Sequence, residues 1–150
     1  MDAGELASGN VVTMEAGGRL TEAAHLMREN HVGDVVVVEP EAGAKKPVGI
    51  ITDRDLTIAI DEYGLENFGK KKVQSVMSEV LIMARRREPV EEVLQNMRDN
   101  GIRRVPVVDA DDLLVGIVTL DDLLGFYGDG IMKMAELVQQ EITEEIFSNS

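Results

Sequence analysis

Apolar positions in the first third of the chain follow a helical spacing and then a strand pattern. Four residues at spacings i, i+3, i+4 and i+7 are apolar: Leu20, Ala23, Ala24 and Met27. This spacing predicts an amphipathic helix that ends near Asn30. A short strand at 11–14 is expected before it. The run 35–38 is valine at every position, which is typical of a strand covered on both faces.

A further strand begins at Gly49 and runs into a turn that starts a helix. The stretch 49–56 reads Gly-Ile-Ile-Thr-Asp-Arg-Asp-Leu. The segment 39–47 before it contains glycine, prolines and lysines and is expected to form a turn or loop. The helix should run from about Asp53 to Glu62 and stop near Gly64.

The whole pattern occurs twice. Gly116 opens a second copy, Gly-Ile-Val-Thr-Leu-Asp-Asp-Leu, which follows Gly49 by 67 residues. A shift of 70 residues places the earlier helix on 90–100 and the valine strand on a strand that starts at Val105. Because the order strand, helix, strand, strand, helix recurs at such a long period, we infer a duplicated lobe rather than a solenoid repeat.

Prolines and glycines set the limits of the second copy. Pro89 suits the first turn of its helix, and Gly101 can adopt the left-handed backbone that ends it, where copy one has His31. Pro106 cannot donate a ladder hydrogen bond, so its strand should lie at a sheet edge or carry a bulge. The end of the second lobe is expected at three glycines: Gly125, Gly128 and Gly130.

The last part of the chain predicts one more amphipathic helix. Its apolar side carries five residues: Ile131, Met134, Val138, Ile142 and Ile146. This helix either straps over its own module or forms a partner or dimer surface, and we favour self-association. The predicted organisation is an irregular segment at 1–10, a first lobe at 6–66, a second lobe at 67–127 and a C-terminal helix at 128–150.

The predicted fold class is α/β, with an α+β organisation of two β-α-β-β-α lobes. A lobe of about 60 residues buries too little surface to be comfortably stable alone. The two lobes should therefore pack face to face about a pseudo-twofold axis. Their Thr-x-x-Asp turns, at Thr52 and Thr119, would then flank two clefts between the lobes.

Composition argues against several classes of function. A net charge of −13 and an aromatic share of 3% oppose binding to the backbone and bases of nucleic acid. With zero cysteines the chain has neither a disulfide framework nor a thiolate metal site. No apolar run approaches the roughly 18 residues of a membrane span, so a soluble cytoplasmic protein is the simplest interpretation. Without a cysteine nucleophile, a P-loop or a paired-histidine site, we expect no enzyme.

The duplicated pattern resembles a tandem pair of CBS domains, the Bateman module, over roughly residues 6–127. Three stretches carry the resemblance: 49–56, 116–123 and 103–109, the last reading Arg-Arg-Val-Pro-Val-Val-Asp. The resemblance implies a module that dimerises into a flat disk and binds adenosine-containing ligands in the clefts between its lobes.

The two Thr-x-x-Asp turns match the ligand-binding motif of that family. The resemblance implies that the motif Asp bonds the ribose hydroxyls and that the Thr lies near ribose or phosphate. Asp55 with Thr52, and Asp122 with Thr119, occupy these positions. The chemistry is sound, because an ionised carboxylate can accept from both ribose hydroxyls and a helix N-terminus favours an anion.

The same turns have a second interpretation as helix caps. Thr-x-x-Asp before an apolar run is a capping signature, in which Thr accepts from the N3 amide and the acid reaches back to the cap amide. The two interpretations can coexist if the cap holds the empty site and yields to a nucleotide.

Two arginines make the clefts unequal. Arg103 and Arg104 begin a strand that should border a cleft, where arginine offers phosphate a fork of donors; the alternative is a solvated strand end. The equivalent residues in copy one are Gly33 and Asp34, with no cation. We therefore predict that one of these arginines reaches the Asp55 site across the interface. The complete predicted site is Thr52, Arg54, Asp55, Arg103, Arg104, Thr119 and Asp122.

The expected function is regulatory sensing of an adenosine nucleotide. AMP or ATP, with S-adenosylmethionine or NAD as further candidates, would bind between the lobes. Binding would change the geometry of a homodimer or the activity of a separate effector protein. A ligand-free dimerisation or scaffold module is the alternative, and a small-molecule enzyme is the last one. No cofactor is expected to be required, and neither nucleic acid nor a membrane is an expected partner.

Overall fold

The computed structural model describes residues 1–41, 43–80 and 82–149 as a mixed α/β chain. Its helices are α1 (Ala3–Leu6), α2 (Leu20–Asn30), α3 (Asp53–Phe68), α4 (Val90–Asn100) and α5 (Leu120–Ser148). Its strands are β1 (Thr13–Glu15), β2 (Asp34–Glu41), β3 (Ala44–Thr52), β4 (Ser78–Glu79), β5 (Ala84–Arg85), β6 (Arg104–Val108) and β7 (Leu114–Thr119). A 3₁₀ turn spans Val73–Ser75. Within the described residues no helix combines the length and hydropathy needed to cross a bilayer.

The two lobes are built on sheets of the same design. The first sheet has the order β1-β2-β3-β4 and the second has the order β5-β6-β7. In each sheet a parallel pair is followed by an antiparallel pair. The register shifts at equivalent places, between Val37 and Val38 in β2 and between Val107 and Val108 in β6. The predicted fold class and duplication are confirmed down to this irregularity.

Three buried apolar clusters stabilise the described part of the chain. One lies inside each lobe, around Leu20 in the first and Val93 in the second. The third joins the lobes and contains Val36, Val38 and Ile117. Since β2 and β7 supply these residues, the sheets face each other, as the small size of each lobe led us to expect.

Each lobe is completed by the segment that precedes the other lobe. Ala3 is fully buried in the core of the second lobe, and Ser8 exchanges two backbone hydrogen bonds with Ile117, at 3.0 and 3.1 Å. Seventy residues later, Val73 is buried in the first lobe and β4 pairs with β3. We call these two stretches, residues 3–8 and 73–80, the exchanged segments. The predicted boundary between residues 66 and 67 did not anticipate that each one packs on the other lobe.

The glycine that opens each motif strand leaves room for the exchanged segment. A Cβ at Gly116 would lie 2.9 Å from the Cβ of Ala7 and 3.0 Å from the carbonyl oxygen of Ser8. A Cβ at Gly49 would meet the Sδ of Met77. A side chain at Gly116 would therefore displace the incoming segment, whereas one at Gly49 would first displace the flexible Met77 side chain.

Several helix ends agree with the sequence predictions. Helix α2 ends at Asn30 with His31 in the left-handed region at φ 53°, and α4 ends at Asn100 with Gly101 at φ 62°. Gly64, at φ 78°, breaks the helical path of α3, which resumes and ends at Phe68. Asparagine, histidine and glycine tolerate or adopt this backbone conformation more readily than β-branched residues do.

Three predictions near the start of the chain differ from the structure. Residues 3–6 are not irregular, because Asp2 and Glu5 form a capping box that starts α1, with N–O distances of 2.8 and 2.9 Å. The first strand lies at Thr13–Glu15 rather than 11–14. Most of the predicted loop 39–47 belongs to β2 and β3, which approach each other near Gly43, at φ 79°; residue 42 of that segment lies outside the described residues.

Pro106 lies in the central strand of its sheet, so the edge prediction is wrong, although the register shift lies one residue further on. Strand β5 pairs only with Val107 and Val108, so the sheet does not require an N–H from Pro106. In the first lobe the equivalent Val36 does donate its N–H, to Val12 at 3.0 Å. The second sheet therefore lacks the backbone hydrogen bond that the first sheet makes at the equivalent position.

The three glycines after Leu124 do not interrupt the last helix. Helix α5 is continuous from Leu120 to Ser148, so the predicted break is wrong while the predicted C-terminal helix is present. Glycine inside a helix costs about 1 kcal/mol relative to alanine, which weakens a helix without ending it. Leu123 anchors α5 in the second lobe, and every described residue from 131 onwards is exposed.

Candidate functional site

Both Thr-x-x-Asp turns are closed capping boxes with the same geometry. Thr52 Oγ1 accepts from the Asp55 amide at 3.2 Å, and Asp55 Oδ2 accepts from the Thr52 amide at 2.9 Å. Thr119 and Asp122 repeat these bonds at 3.2 and 2.9 Å. A carboxylate has two oxygens and about four acceptor sites. Each Asp therefore retains acceptor capacity after capping its helix.

A cleft of about 280 Å³ lies between the first turn and the second lobe. We call it the first cleft. It brings together Thr52 from β3 with Arg103 and Arg104 from the start of β6. The remainder of its wall is largely aliphatic, with residues from both lobes and from the exchanged segment: Ile50, Val80, Ile82, Ile102 and Pro106. An apolar wall with a few polar groups is typical of small-molecule sites.

The structure places the predicted site residues unequally around this cleft. Thr52 lines it, whereas Asp55 is not among the lining residues and is connected to the cleft through its hydrogen bond with the Thr52 amide. Arg54 is exposed on the first turn of α3 and is not among the lining residues. Thr119 and Asp122 belong to the pseudosymmetric turn of the other lobe. The site therefore divides into one group at the first cleft and one at the second turn.

Sequence reasoning missed the contribution of the exchanged segment to the first cleft. Ser78, Glu79 and Val80 line it because β4 pairs with β3 of the first lobe. Their equivalents under the 70-residue shift are Ser8, Gly9 and Asn10. The repetition of the serine at positions 8 and 78 indicated that the two segments are equivalent. A repeat does not show which of the two sheets each segment joins.

The two arginines of the first cleft are in different electrostatic states. Arg104 forms an ion pair through its Nε with Asp34 Oδ2 of the opposite lobe, and these side chains are 35% and 20% exposed. Arg103 is exposed and forms no ion pair with any described residue, although its backbone oxygen accepts from the Leu120 amide at 2.8 Å. Arg103 is therefore the arginine that is available to an incoming anion.

The pseudosymmetric position, which we call the second cleft, has a different character. Gly33 and Asp34 stand where the first cleft has Arg103 and Arg104. Asp34 is held by Arg104, and the Gly33 oxygen accepts from the Asp53 amide at 2.9 Å. No cation replaces the missing arginines at these two positions, so the second cleft offers less to a phosphate than the first.

A family model for the CBS domain matches residues 3–62 and 73–129 of the chain. An uncharacterised protein of Methanopyrus kandleri is 38% identical over 121 residues, which are 81% of this chain and 60% of that protein. A CBS domain-containing protein of Bacillus subtilis, YhcV, is 38% identical over 113 residues, 75% of this chain and 76% of that protein. The chain thus spans less than two thirds of the length of the Methanopyrus relative.

Solved structures share the same two-lobed fold. The CBS domain pair of protein MJ0100, in complex with 5′-methylthioadenosine and S-adenosyl-L-methionine, is similar with a TM-score of 0.74 and 28% identity, covering 87% of this chain and 98% of that one. A CBS domain protein of Pyrobaculum aerophilum, complexed with AMP, has a TM-score of 0.72 at 24% identity, covering 82% and 90%. At that identity the second similarity is evidence for the fold only.

Proposed function

Because the chain belongs to the CBS domain family, with one domain in each lobe, we propose that it is a regulatory module that binds an adenosine-containing ligand between the lobes. The observation that carries this proposal is the first cleft. It joins Thr52 of one lobe to Arg103 of the other beside an aliphatic wall. The adenosyl ligands of the related MJ0100 domain pair support the choice of ligand class.

Each part of such a ligand has a chemical counterpart in the first cleft. The aliphatic residues provide an apolar surface for adenine. Asp55 can accept from ribose hydroxyls through its free acceptor sites while it keeps its bond to the Thr52 amide. Arg103, exposed and unpaired among the described residues, is the donor for a phosphate.

A ligand in this position would contact both lobes at once. It would touch β3 on one side and the start of β6 on the other. A ligand can shift an equilibrium only through its different affinity for two states. A molecule that bridges the lobes favours one relative arrangement of them, and we propose that a second copy of the chain or a separate effector protein responds to that arrangement.

The experiment that tests this function is thermal unfolding with a panel of adenosine ligands. The panel contains AMP, ADP, ATP, 5′-methylthioadenosine, S-adenosylmethionine and NAD. A ligand at about 100 times its Kd adds roughly 2.7 kcal/mol to the free energy of unfolding. We expect at least one ligand to raise the Tm of the wild type and to have a much smaller effect on Asp55→Ala.

Asp122→Ala is the matched control for this experiment. Each substitution removes the same capping bond, and loss of such a cap costs about 1 kcal/mol. The two variants should therefore start from similar stability. A Tm that no member of the panel changes would contradict the proposed function.

A ligand-free scaffold is the second candidate function. The observation in its favour is that both capping boxes are complete without a ligand. In a scaffold the two turns serve only to start α3 and α5. The ligand panel separates the candidates, because a scaffold shows no shift with any of its members.

A further inference from the structure

The charges around the first cleft restrict which adenosine ligand it can accept. Resting on the function proposed above, we propose that this cleft accepts an adenosine ligand with one phosphate or none and discriminates against a triphosphate. The charged residues of its described lining are Glu79, Arg103 and Arg104. The proposal rests on the balance of positive and negative charge among these residues and not on the size of the cleft.

Arg104 is already neutralised by a carboxylate from outside the lining. Its Nε is paired with Asp34 Oδ2, and both side chains are mostly buried, at 35% and 20% exposed. The terminal nitrogens of Arg104 keep their donors, but Asp34 offsets the positive charge that a phosphate would meet there. Removing one partner from a partly buried pair leaves a poorly solvated charge, which is unfavourable. Arg104 therefore stays paired with Asp34 and adds little net positive charge to the first cleft.

Arg103 then remains as the one uncommitted cation in the described lining. The exposed Glu79 lies in the same lining and offsets its charge. A monophosphate can use Arg103 alone, and a thioether-linked adenosine needs no cation. Each further phosphate adds negative charge without meeting another cation, and like charges at close range repel.

Calorimetric titration of the purified chain tests this inference. AMP, ADP, ATP and 5′-methylthioadenosine are titrated separately, in EDTA and again with Mg²⁺. We expect AMP or 5′-methylthioadenosine to bind at least tenfold more tightly than ATP in EDTA. The Asp34→Asn variant frees Arg104, so it should raise the affinity for ATP several-fold and change that for 5′-methylthioadenosine little.

Asp61→Asn is the control for a change of net charge. Asp61 is exposed on α3 and is outside the lining of the cleft, so its substitution should leave the ratio of AMP to ATP affinity unchanged. ATP binding as tightly as AMP in EDTA, or an unchanged ratio in Asp34→Asn, would overturn the inference while the proposed function stands. Binding of no adenosine ligand would instead refute the proposed function and this inference with it.

A separate observation concerns α5, which presents an apolar side to solvent along most of its length. Nine large apolar side chains of α5 are exposed, and all but Met132, Leu137 and Phe147 share one side. These six are between 46% and 64% exposed: Leu124, Ile131, Met134, Val138, Ile142 and Ile146. At 100° per residue they fall within one stripe about a third of the circumference wide. We infer that this stripe binds the same stripe of a second copy of the chain.

The exposed area is sufficient for such a dimer. Taking about 100 Å² for a fully exposed aliphatic side chain, the stripe presents on the order of 350 Å² of apolar surface per copy, within the range of functional patches on monomers. Two stripes together, at the roughly 65% apolar share of homodimer interfaces, correspond to about 1,100 Å² in total. This value clears the roughly 1,000 Å² expected of a specific interface.

The charged residues of α5 lie mostly off the stripe, and Glu145, seven residues after Val138, is the exception within it. Lys133, Glu136 and Glu144 lie on the side of α5 away from the stripe. Glu141 flanks one edge, and Gln139 flanks the other. Each copy would therefore bring one carboxylate, that of Glu145, within the stripe to such an interface. The partner also stabilises a protruding helix that would be marginal alone in water.

Light scattering over a range of protein concentrations tests the dimer. We expect the wild type to be dimeric and Val138→Glu to be monomeric at the same concentrations. Val138 is 57% exposed, so its substitution leaves the lobes intact, which the Tm verifies. Gln140→Glu adds the same charge on the opposite side of the helix and should remain dimeric. A monomeric wild type, or a dimer that persists in Val138→Glu, would refute this interface.

Discussion

Asp34 and Arg104 occupy equivalent positions in the two lobes and form an ion pair with each other across the interface. In the strand register Asp34 lies opposite Thr52 and Arg104 lies opposite Thr119. The pair therefore joins the two motif turns through the pseudo-twofold axis. The same position of the repeat carries a negative charge in the first lobe and a positive charge in the second. The two clefts differ in charge as a result.

Breaking this pair should destabilise the chain. Arg104→Ala leaves Asp34 without a partner at 20% exposure, and we expect a loss of about 1–2 kcal/mol, between the values for exposed and buried pairs. Urea denaturation measures it, and the double variant with Asp34→Ala should lose less than the sum of the single variants. Arg28→Ala removes a pair that is 83% and 55% exposed and should change stability by less than about 0.5 kcal/mol. Equal losses in both would contradict this account.

The phosphate role of Arg103 predicts a ligand-dependent effect. Arg103→Ala should weaken AMP about tenfold or more, because a hydrogen bond to a charged group contributes about 1.5–3 kcal/mol. It should leave 5′-methylthioadenosine almost unchanged, since that molecule has no phosphate. Arg54→Ala, at an exposed position outside the lining, should affect AMP much less. Equal weakening of both ligands by Arg103→Ala would show that the residue supports the fold rather than the phosphate.

The exchanged N-terminal segment makes Gly116 sensitive to substitution. Gly116→Ala places a methyl group against Ala7 and the Ser8 carbonyl, and overpacking of this kind costs about 1–3 kcal/mol. Hydrogen exchange should show faster exchange of the Ser8 and Ile117 amides, which bond each other's carbonyls. Gly125→Ala is the matched control, because no atom lies within 4 Å of its Cβ and alanine favours a helix by about 1 kcal/mol. A neutral Gly116→Ala would argue against a tightly held segment.

Glu88 predicts an unusual dependence of stability on pH. Burial, with a smaller effect of the neighbouring Glu92, raises the pKa of the Glu88 carboxyl, and Arg85 lowers it to a lesser extent. The folded state therefore binds this proton more tightly than the unfolded state, so ionisation of Glu88 destabilises the fold at neutral pH. Glu88→Gln should raise the Tm at pH 7, and its advantage should shrink as the pH falls through the raised pKa towards the ordinary value.

Glu91→Gln controls for a general effect of charge at this helix end. Glu91 is an exposed acidic residue in the first turn of α4, where negative charge is favourable. Its substitution should lower the Tm slightly at pH 7. If both substitutions change the Tm in the same direction, burial of Glu88 is not the cause.

The sequence was sufficient for the features that depend on local pattern. The helix at Leu20–Asn30, the break at Gly64 and the duplicated fold all follow from spacing, from backbone preference and from repetition, although α3 resumes beyond Gly64 and ends at Phe68. The first cleft brings Thr52 together with both arginines, whereas the prediction placed one of these arginines at Asp55, which is not among the lining residues. Which of these residues bind a ligand remains a prediction.

Features that depend on partner choice could not be predicted in this way. A repeat shows that Ser8 and Ser78 are equivalent, but either could pair with either sheet, and the structure exchanges them. The commitment of Arg104 to Asp34 is likewise non-local. The three glycines of α5 predict the end of a helix, yet none of them adopts a left-handed conformation and the helix continues through them.

A crystal structure of the chain with AMP tests the central claim most directly. The account predicts adenosine in the first cleft, with the ribose within hydrogen-bonding distance of Asp55 and the phosphate beside Arg103, while Arg104 remains paired with Asp34. A phosphate bound only in the second cleft, beside Gly33 and Asp34, or no nucleotide in either cleft at saturating AMP, would contradict it.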